Sequence, residues 1–525
     1  MTRRTRVLVA GAVATAVGMA AAGMGVADAA TEPPALSFTQ ATSSVVAERY
    51  VWDDQAYLYF DLGVNVIAGK NPFEIRATRK SYADPIVANQ VVIKNGKKSN
   101  VTLPAGMVTG WGGLKDFTKI TIKNAAGAQV ADYSTDFCPN SYDSARTRRD
   151  APAENPYPQG CNEYNPFNLG AVWGIQAGWN GTTDSLPRTE GFDLADGDYT
   201  ATVTLNKKYQ DYFKIAASSS TLTVNVKVET IDEGKDAAEA GRAKVKAAQA
   251  GESTATAAAV AEHGEHAGQG DADLQISAYK PGFRPPAKRP NAVKASTLAR
   301  GPRPDLRSLP AWGISLSQEN GKSFVNFGAT VWNGGTSPLL VDGFRRTGTE
   351  LMDAYQYFFD AKGKEVGSVA AGTMEWDARE GHRHWHFTDF AQYNLLGADA
   401  KVAVRSGKEA FCLANTDAVD YTIPNAKWRP DNTDLSSSCG QNTAVAVREV
   451  LDIGSGDTYT QDRPGQSFEV TDLPNGTYYI QVKANPSNKL TELSTTNNSA
   501  LRKIILGGTA AARTLEVPPV NGIEG

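Results

Sequence analysis

The chain has 525 residues, 41% of them hydrophobic and 21% charged, with a formal charge of −4. That length admits two to four domains with real cores. The mildly acidic balance, with no basic face, gives no reason to expect a nucleic-acid partner.

Residues 1–29 read as a secretory signal peptide. Arg3, Arg4 and Arg6 precede an apolar Ala/Val/Gly/Met stretch over 7–26, and Ala27-Asp28-Ala29 fits a small-x-small cleavage site. The paired Arg3-Arg4 also fits twin-arginine export of a folded protein. The stretch is weakly hydrophobic and lacks a stop-transfer pattern, so no stable membrane span is expected after its removal. Losing these residues takes away three arginines and one aspartate and moves the formal charge from −4 to −6. An exported chain with an even number of cysteines suggests disulfides. The four fall as two separated pairs, Cys138 with Cys161 and Cys412 with Cys439. A four-thiolate zinc site is the alternative, but no Cys-x-x-Cys spacing supports it.

Residues 36–228 carry short β-type runs such as Ala56-Tyr57-Leu58-Tyr59-Phe60, Val91-Val92-Ile93, Ile120-Thr121-Ile122 and Tyr199-Thr200-Ala201-Thr202-Val203-Thr204. Turns such as Lys94-Asn95-Gly96-Lys97 separate them, and the region reads as an all-β, sandwich-like unit. The interval between Cys138 and Cys161 reads as a long surface loop stapled by its bridge. Trp111, Trp173 and Trp179 suit either a core or an aromatic platform for a cell-wall or matrix polymer.

Residues 229–303 change character. The first part is rich in Ala, Glu, Asp and Gly and includes His263 and His266. Residues 274–304 then hold seven basic residues, no acidic ones and six prolines. This composition predicts a flexible linker.

From 304 to 508 the β pattern returns, as in Phe324-Val325-Asn326-Phe327-Gly328-Ala329-Thr330-Val331-Trp332 and Thr477-Tyr478-Tyr479-Ile480-Gln481-Val482-Lys483. It predicts a β-sandwich with long loops, followed by a tail at 509–525. In its middle, His382-Arg383-His384-Trp385-His386 holds three of the chain's five histidines at i, i+2 and i+4. On a strand this spacing puts all three imidazoles on one face, a ligand set for a borderline transition metal. The aromatic run Trp385, Phe387, Phe390 and Tyr393 favours a strand. The alternative is an exposed polar strand with chance histidines.

Four blocks in this half together resemble the catalytic domain of the lysyl oxidases, copper-dependent amine oxidases with a lysine tyrosylquinone cofactor. Glu375-Trp376, then His382 to His386, Phe390, Tyr393 and Leu395-Leu396 resemble the family's copper block. Gly407-Lys408-Glu409-Ala410-Phe411-Cys412-Leu413 resembles the cofactor-lysine segment, and Gly456-Asp457-Thr458-Tyr459 the cofactor-tyrosine segment. Asn485-Pro486, Glu492, Asn497-Asn498 and Asp305-Leu306 resemble residues that bind a structural calcium in some members; a capped loop closing the sandwich is the other reading. The likeness runs from about Pro304 to Leu506 and leaves the first half untouched. It departs from the animal enzymes at Asp377 and Gln392, where those have histidines, and in having fewer cysteines.

The resemblance implies a secreted oxidase in which His382, His384 and His386 hold copper, and Lys408 and Tyr459 join as the quinone. Such a group supplies the electron sink that ordinary side chains lack. Its partners would be molecular oxygen and a primary amine, either peptidyl lysine or a small molecule, with aldehyde, ammonia and peroxide as products. Asp389 is the candidate base, although alternation puts it on the face opposite the histidines unless the strand has ended. Two other readings stand beside this one: a secreted metallohydrolase, for which the downstream histidines are missing, and a non-catalytic β-sandwich cell-surface binding protein.

Overall fold

The structure is a computed structural model describing residues 35–52, 55–162, 164–188, 191–231, 289–291, 294, 298, 301–378, 383–388, 390–405, 410–429, 439–461, 463 and 465–524. Among the described residues the fold is all-β, broken by the helix Lys207–Phe213 and a 3-10 turn at Ala217–Ser219. Turn chemistry sets much of the register. Asn95 and Gly96 both take positive φ (50° and 73°), the geometry of a two-residue type I′ hairpin. They set Lys94 opposite Lys97 and join Val87–Lys94 to Lys97–Thr102. Asn320 and Gly321 repeat the device between Trp312–Glu319 and Lys322–Asn333.

In the N-terminal half, strand Gly197–Leu205 runs between Leu114–Asn124 and Thr221–Thr230 in a six-stranded sheet. Its alternating Ala201, Val203 and Leu205 face inward. Three sheets surround a single core, which holds Trp111 and Trp173. Trp179 packs against that core, and its indole N–H donates to the carbonyl of Pro152 at 2.9 Å. Trp111 and Trp173 serve packing, and Trp179 is partly buried. The Cys138–Cys161 bridge forms, with Cα atoms 5.8 Å apart.

In the C-terminal half, three further sheets share a second core. One carries the histidine strand His384–Thr388 between Glu365–Asp377 and Ala410–Phe411. Another carries the tyrosine strand Ser455–Tyr459 between Lys322–Asn333 and Asp417–Ala418. In the third, Ala512–Glu516 pairs with Ser499–Thr509, so the sheet continues into the stretch expected as a tail. The Cys412–Cys439 bridge also forms.

The two halves are joined by packing as well as by residues 229–303, most of which lie outside the described residues. The N–H groups of Leu169 and Gly170 donate to the carbonyl of Val419 at 2.8 and 3.1 Å, and Tyr421 N–H donates to the carbonyl of Gly170 at 2.9 Å. Phe167 enters a small core with Leu309, Trp312, Trp332 and Val419. At Gly170 an added Cβ would lie 2.1 Å from the Asp420 carboxylate, so this close approach requires glycine.

Candidate active site

The histidine strand is built by alternation. Trp385 and Phe387, both fully buried, anchor one face in the core, which sends His384 and His386 to the other face together. Both imidazoles are buried, at 2% and 1% exposure, and their ring centroids are 4.6 Å apart. The neighbouring strand is in register so that Asp377 lies opposite His384 and Glu375 opposite His386. Asp377 reaches diagonally to His386, its Oδ2 3.4 Å from Nδ1. A carboxylate on one ring nitrogen orients an imidazole and sharpens the other nitrogen as a ligand. Trp385 locks the strand from behind: its backbone N–H donates to Cys439 O at 3.0 Å and its indole N–H to Gln441 O at 2.9 Å.

Tyr459 is 2% exposed, and its hydroxyl donates to the carbonyl of Cys412 at 3.4 Å. Phe411, which sits opposite Phe387 in the sheet, packs edge-on against the Tyr459 ring with centroids 5.0 Å apart. Tyr459 therefore packs on the Trp385 and Phe387 side of the histidine strand, the side away from the imidazoles. The Cys412–Cys439 bridge links the two residues that hold these elements by hydrogen bonds: Cys412 O receives the Tyr459 hydroxyl and Cys439 O receives the Trp385 N–H.

Around Tyr459 lies a buried polar cluster. Glu449 is fully buried and accepts the N–H of Leu413 at 3.0 Å, and the Phe387 N–H also bonds it, tying the histidine strand to the segment after Phe411. Burial holds its carboxyl well above the usual range, with the Asp457 charge adding to the rise and the two N–H groups opposing it. Burial likewise pushes the Tyr459 phenol well above its ordinary value, with Asp457, Tyr393 and Glu449 adding to it. Tyr393, on the adjacent strand Ala391–Gly397, is raised by burial too. Perturbed titratable groups gathered in one core are a mark of functional sites.

Three expected site residues, His382, Lys408 and Asp389, lie outside the described residues. Among the described residues no group of three or more His, Cys, Asp or Glu side chains is assembled that could hold a metal. Two buried imidazoles on one strand face, one with a carboxylate beside it, are nevertheless a donor set suited to copper.

The residues expected at a calcium site lie together and hydrogen-bond to one another, while the buried Oδ1 atoms of Asn497 and Asn498 have no hydrogen-bond partner among the described residues. Glu492 accepts the side-chain amides of Asn485 and Asn498 at 2.6 and 2.8 Å and the N–H of Leu306 at 2.9 Å. Asp305 accepts from Arg307 Nε at 2.7 Å, the Asn497 amide at 3.0 Å and Ser494 N–H at 3.1 Å. Here the three asparagines present N–H groups to the carboxylates.

Sequence reasoning did not single out Asp377, Glu449 or Asp457 as functional. Asp377 was noted only as standing where a histidine was expected. Glu449 carried one signal: an acid between the inward-facing Val447 and Leu451 of strand Ala446–Leu451.

The lysyl oxidase family model matches residues 355–514, which include the histidine strand, Lys408 and Tyr459. Human protein-lysine 6-oxidase is 32% identical over 125 residues, 23% of this chain and 26% of that protein. Mouse lysyl oxidase homolog 4 is 29% identical over 129 residues, 24% of this chain and 15% of that protein. Zebrafish lysyl oxidase homolog 2A is 30% identical over 128 residues, 24% of this chain and 15% of that protein. The resemblance seen in the C-terminal part is thereby borne out. The chain spans about a quarter or less of the length of these relatives.

Proposed function

From the lysyl oxidase match over residues 355–514 we infer that the chain is an exported, copper-dependent amine oxidase. It turns R–CH2–NH2, O2 and water into R–CHO, ammonia and hydrogen peroxide. One observation carries this reading: a buried histidine pair and a buried tyrosine, both inside the matched segment, are bound into one core through the Cys412–Cys439 bridge. Among the described residues no helix is long and apolar enough to cross a membrane.

His384 and His386, with His382, would hold the copper, and Lys408 and Tyr459 would furnish the quinone. When bound, copper supplies oxidation of the tyrosine ring by oxygen, and the quinone supplies the electron sink for the amine. Asp377, with Oδ2 3.4 Å from His386 Nδ1, would orient that ring. Trp385 and Phe387 exclude water behind the strand. Glu449 fixes the spacing between the histidine strand and the segment after Phe411 by taking an N–H from each. Asp389 remains the proposed base.

The test is amine-dependent peroxide release by the copper-loaded exported protein, with His384→Ala as its control. The reading predicts peroxide from wild type and neither copper nor peroxide with the variant. Copper-loaded wild type that releases no peroxide with any of a panel of primary amines would contradict it.

A further inference from the structure

The tyrosine strand has two faces, and the N-terminal half covers one of them. Tyr459 and Asp457 project to the C-terminal core, while Thr458 and Gly456 project the other way. On that other side the Thr458 hydroxyl is paired with the Thr330 hydroxyl at 2.7 Å and donates to the Asp417 carboxylate. Thr458 N–H donates to Thr416 Oγ1 at 2.8 Å. The residues that complete this network come from the N-terminal half, just after Cys161 of its disulfide. Tyr164 donates its hydroxyl to the same Asp417 carboxylate, on the oxygen that Thr458 does not use. Asn165, fully buried, donates its amide to Thr330 Oγ1 at 3.0 Å.

The contact is built rather than incidental. The Tyr164 ring lies 5.9 Å from Trp312, whose indole N–H also reaches Thr330 Oγ1 at 3.4 Å. Phe167 is fully buried in the shared core and lies under the Arg502 guanidinium at 5.7 Å. Asn165 and Asp417 are both buried polar groups, so removing a partner from either leaves an expensive unsatisfied group. At Gly456 an added Cβ would meet Thr330 and Val419 side-chain atoms at 2.8 Å, so the strand has no slack toward this interface.

We propose that the N-terminal half is a brace for the tyrosine strand, with Tyr164 and Asn165 as positioning residues that hold Thr330, Asp417 and Thr458 directly behind Tyr459. Its bearing on catalysis rests on the oxidase reading; the brace itself does not. Because the cofactor tyrosine is one residue from the braced Thr458, the first half would set how readily residues 408 and 459 meet.

The experiment uses the full exported chain. Tyr164→Phe keeps the ring on Trp312 and removes only the hydroxyl, and Asn165→Ala removes the amide. Tyr199→Phe, in the same half but bonded to the Ala195 carbonyl, is the control. Hydrogen exchange of peptides covering 455–461 should quicken by about tenfold in Tyr164→Phe and Asn165→Ala. Exchange at 384–388 should hold steady in both, and Tyr199→Phe should match wild type. Unchanged exchange at 455–461 in both variants overturns the brace. In copper-loaded protein the same two variants should slow formation of the 408–459 linkage while copper stoichiometry stays at the wild-type value; a linkage rate equal to wild type overturns the positioning role. If wild type itself forms no linkage, the oxidase reading fails, and the exchange measurement still decides the brace.

Discussion

The Tyr459 hydroxyl rests on the carbonyl of Cys412, 47 positions earlier in the chain, and Cys412 is bonded through sulfur to the residue whose carbonyl receives the Trp385 N–H. One disulfide thus couples the candidate cofactor tyrosine to the strand that carries the candidate copper ligands. Its stabilising effect comes largely from closing a loop, here with a sequence separation of 27, for which chain entropy gives about 3.5 kcal/mol. Replacing both cysteines with serine should lower unfolding stability by roughly that amount in guanidinium titrations. Stability equal to wild type would mean that the bridge constrains nothing the fold does not already hold.

Asp377 stands 3.4 Å from the His386 ring. Carboxylates that orient a ligating imidazole typically change metal affinity roughly 10- to 100-fold when removed. Asp377→Asn should weaken copper binding to that extent in chelator competition, with the folded state intact by circular dichroism. Affinity unchanged from wild type would make Asp377 a bystander.

The strand was legible because period-two alternation of histidine with Trp385 and Phe387 has no helical equivalent, and those aromatics do fill the core. Hairpins were legible where turn residues demand positive φ, as at Asn95-Gly96. What could not be read was which strands become neighbours. Asp377 meets His386 only through the antiparallel register of Glu365–Asp377 with His384–Thr388, and Glu449 meets Phe387 and Leu413 only across a sheet. The docking of residues 157–170 on the second half was hidden for the same reason. Phe167, Leu169 and Gly170 look like ordinary loop residues until Val419 is beside them. The tryptophans of the first half were ambiguous in sequence because core and platform use the same residue, and burial decides for packing at Trp111 and Trp173.

The docking has a consequence for proteolysis. The composition of residues 229–303 still predicts that first cuts fall between about 237 and 303. The shared core and the backbone bonds at Val419 and Tyr421 predict that the two pieces then stay together. Native size-exclusion chromatography of the nicked protein should give one peak containing both. Two separate peaks would mean that the halves are held only by the chain.

Asp452 gives the fold a pH signature. It is 1% exposed, and burial raises its carboxyl to about 6, partly opposed by the Ile453 N–H and by Lys427. Below about pH 4 both folded and unfolded chains hold this proton. Between about 4 and 6 the unfolded chain releases it while the folded one keeps it, so stability falls as pH rises through that window and levels off above it. The drop should be roughly 3 kcal/mol, and Asp452→Asn should abolish it. Denaturant titrations from pH 4 to 7 in which variant and wild type keep the same slope would remove Asp452 as the source.

The most direct measurement for the oxidase account is peptide mass spectrometry of the exported protein after aerobic incubation with copper. The account predicts a covalent link between residues 408 and 459, a quinone stain confined to the C-terminal half, and loss of both in Lys408→Arg, which should still bind copper. Copper-loaded wild type in which Lys408 and Tyr459 are recovered as separate, unmodified peptides, with no quinone stain, would contradict it.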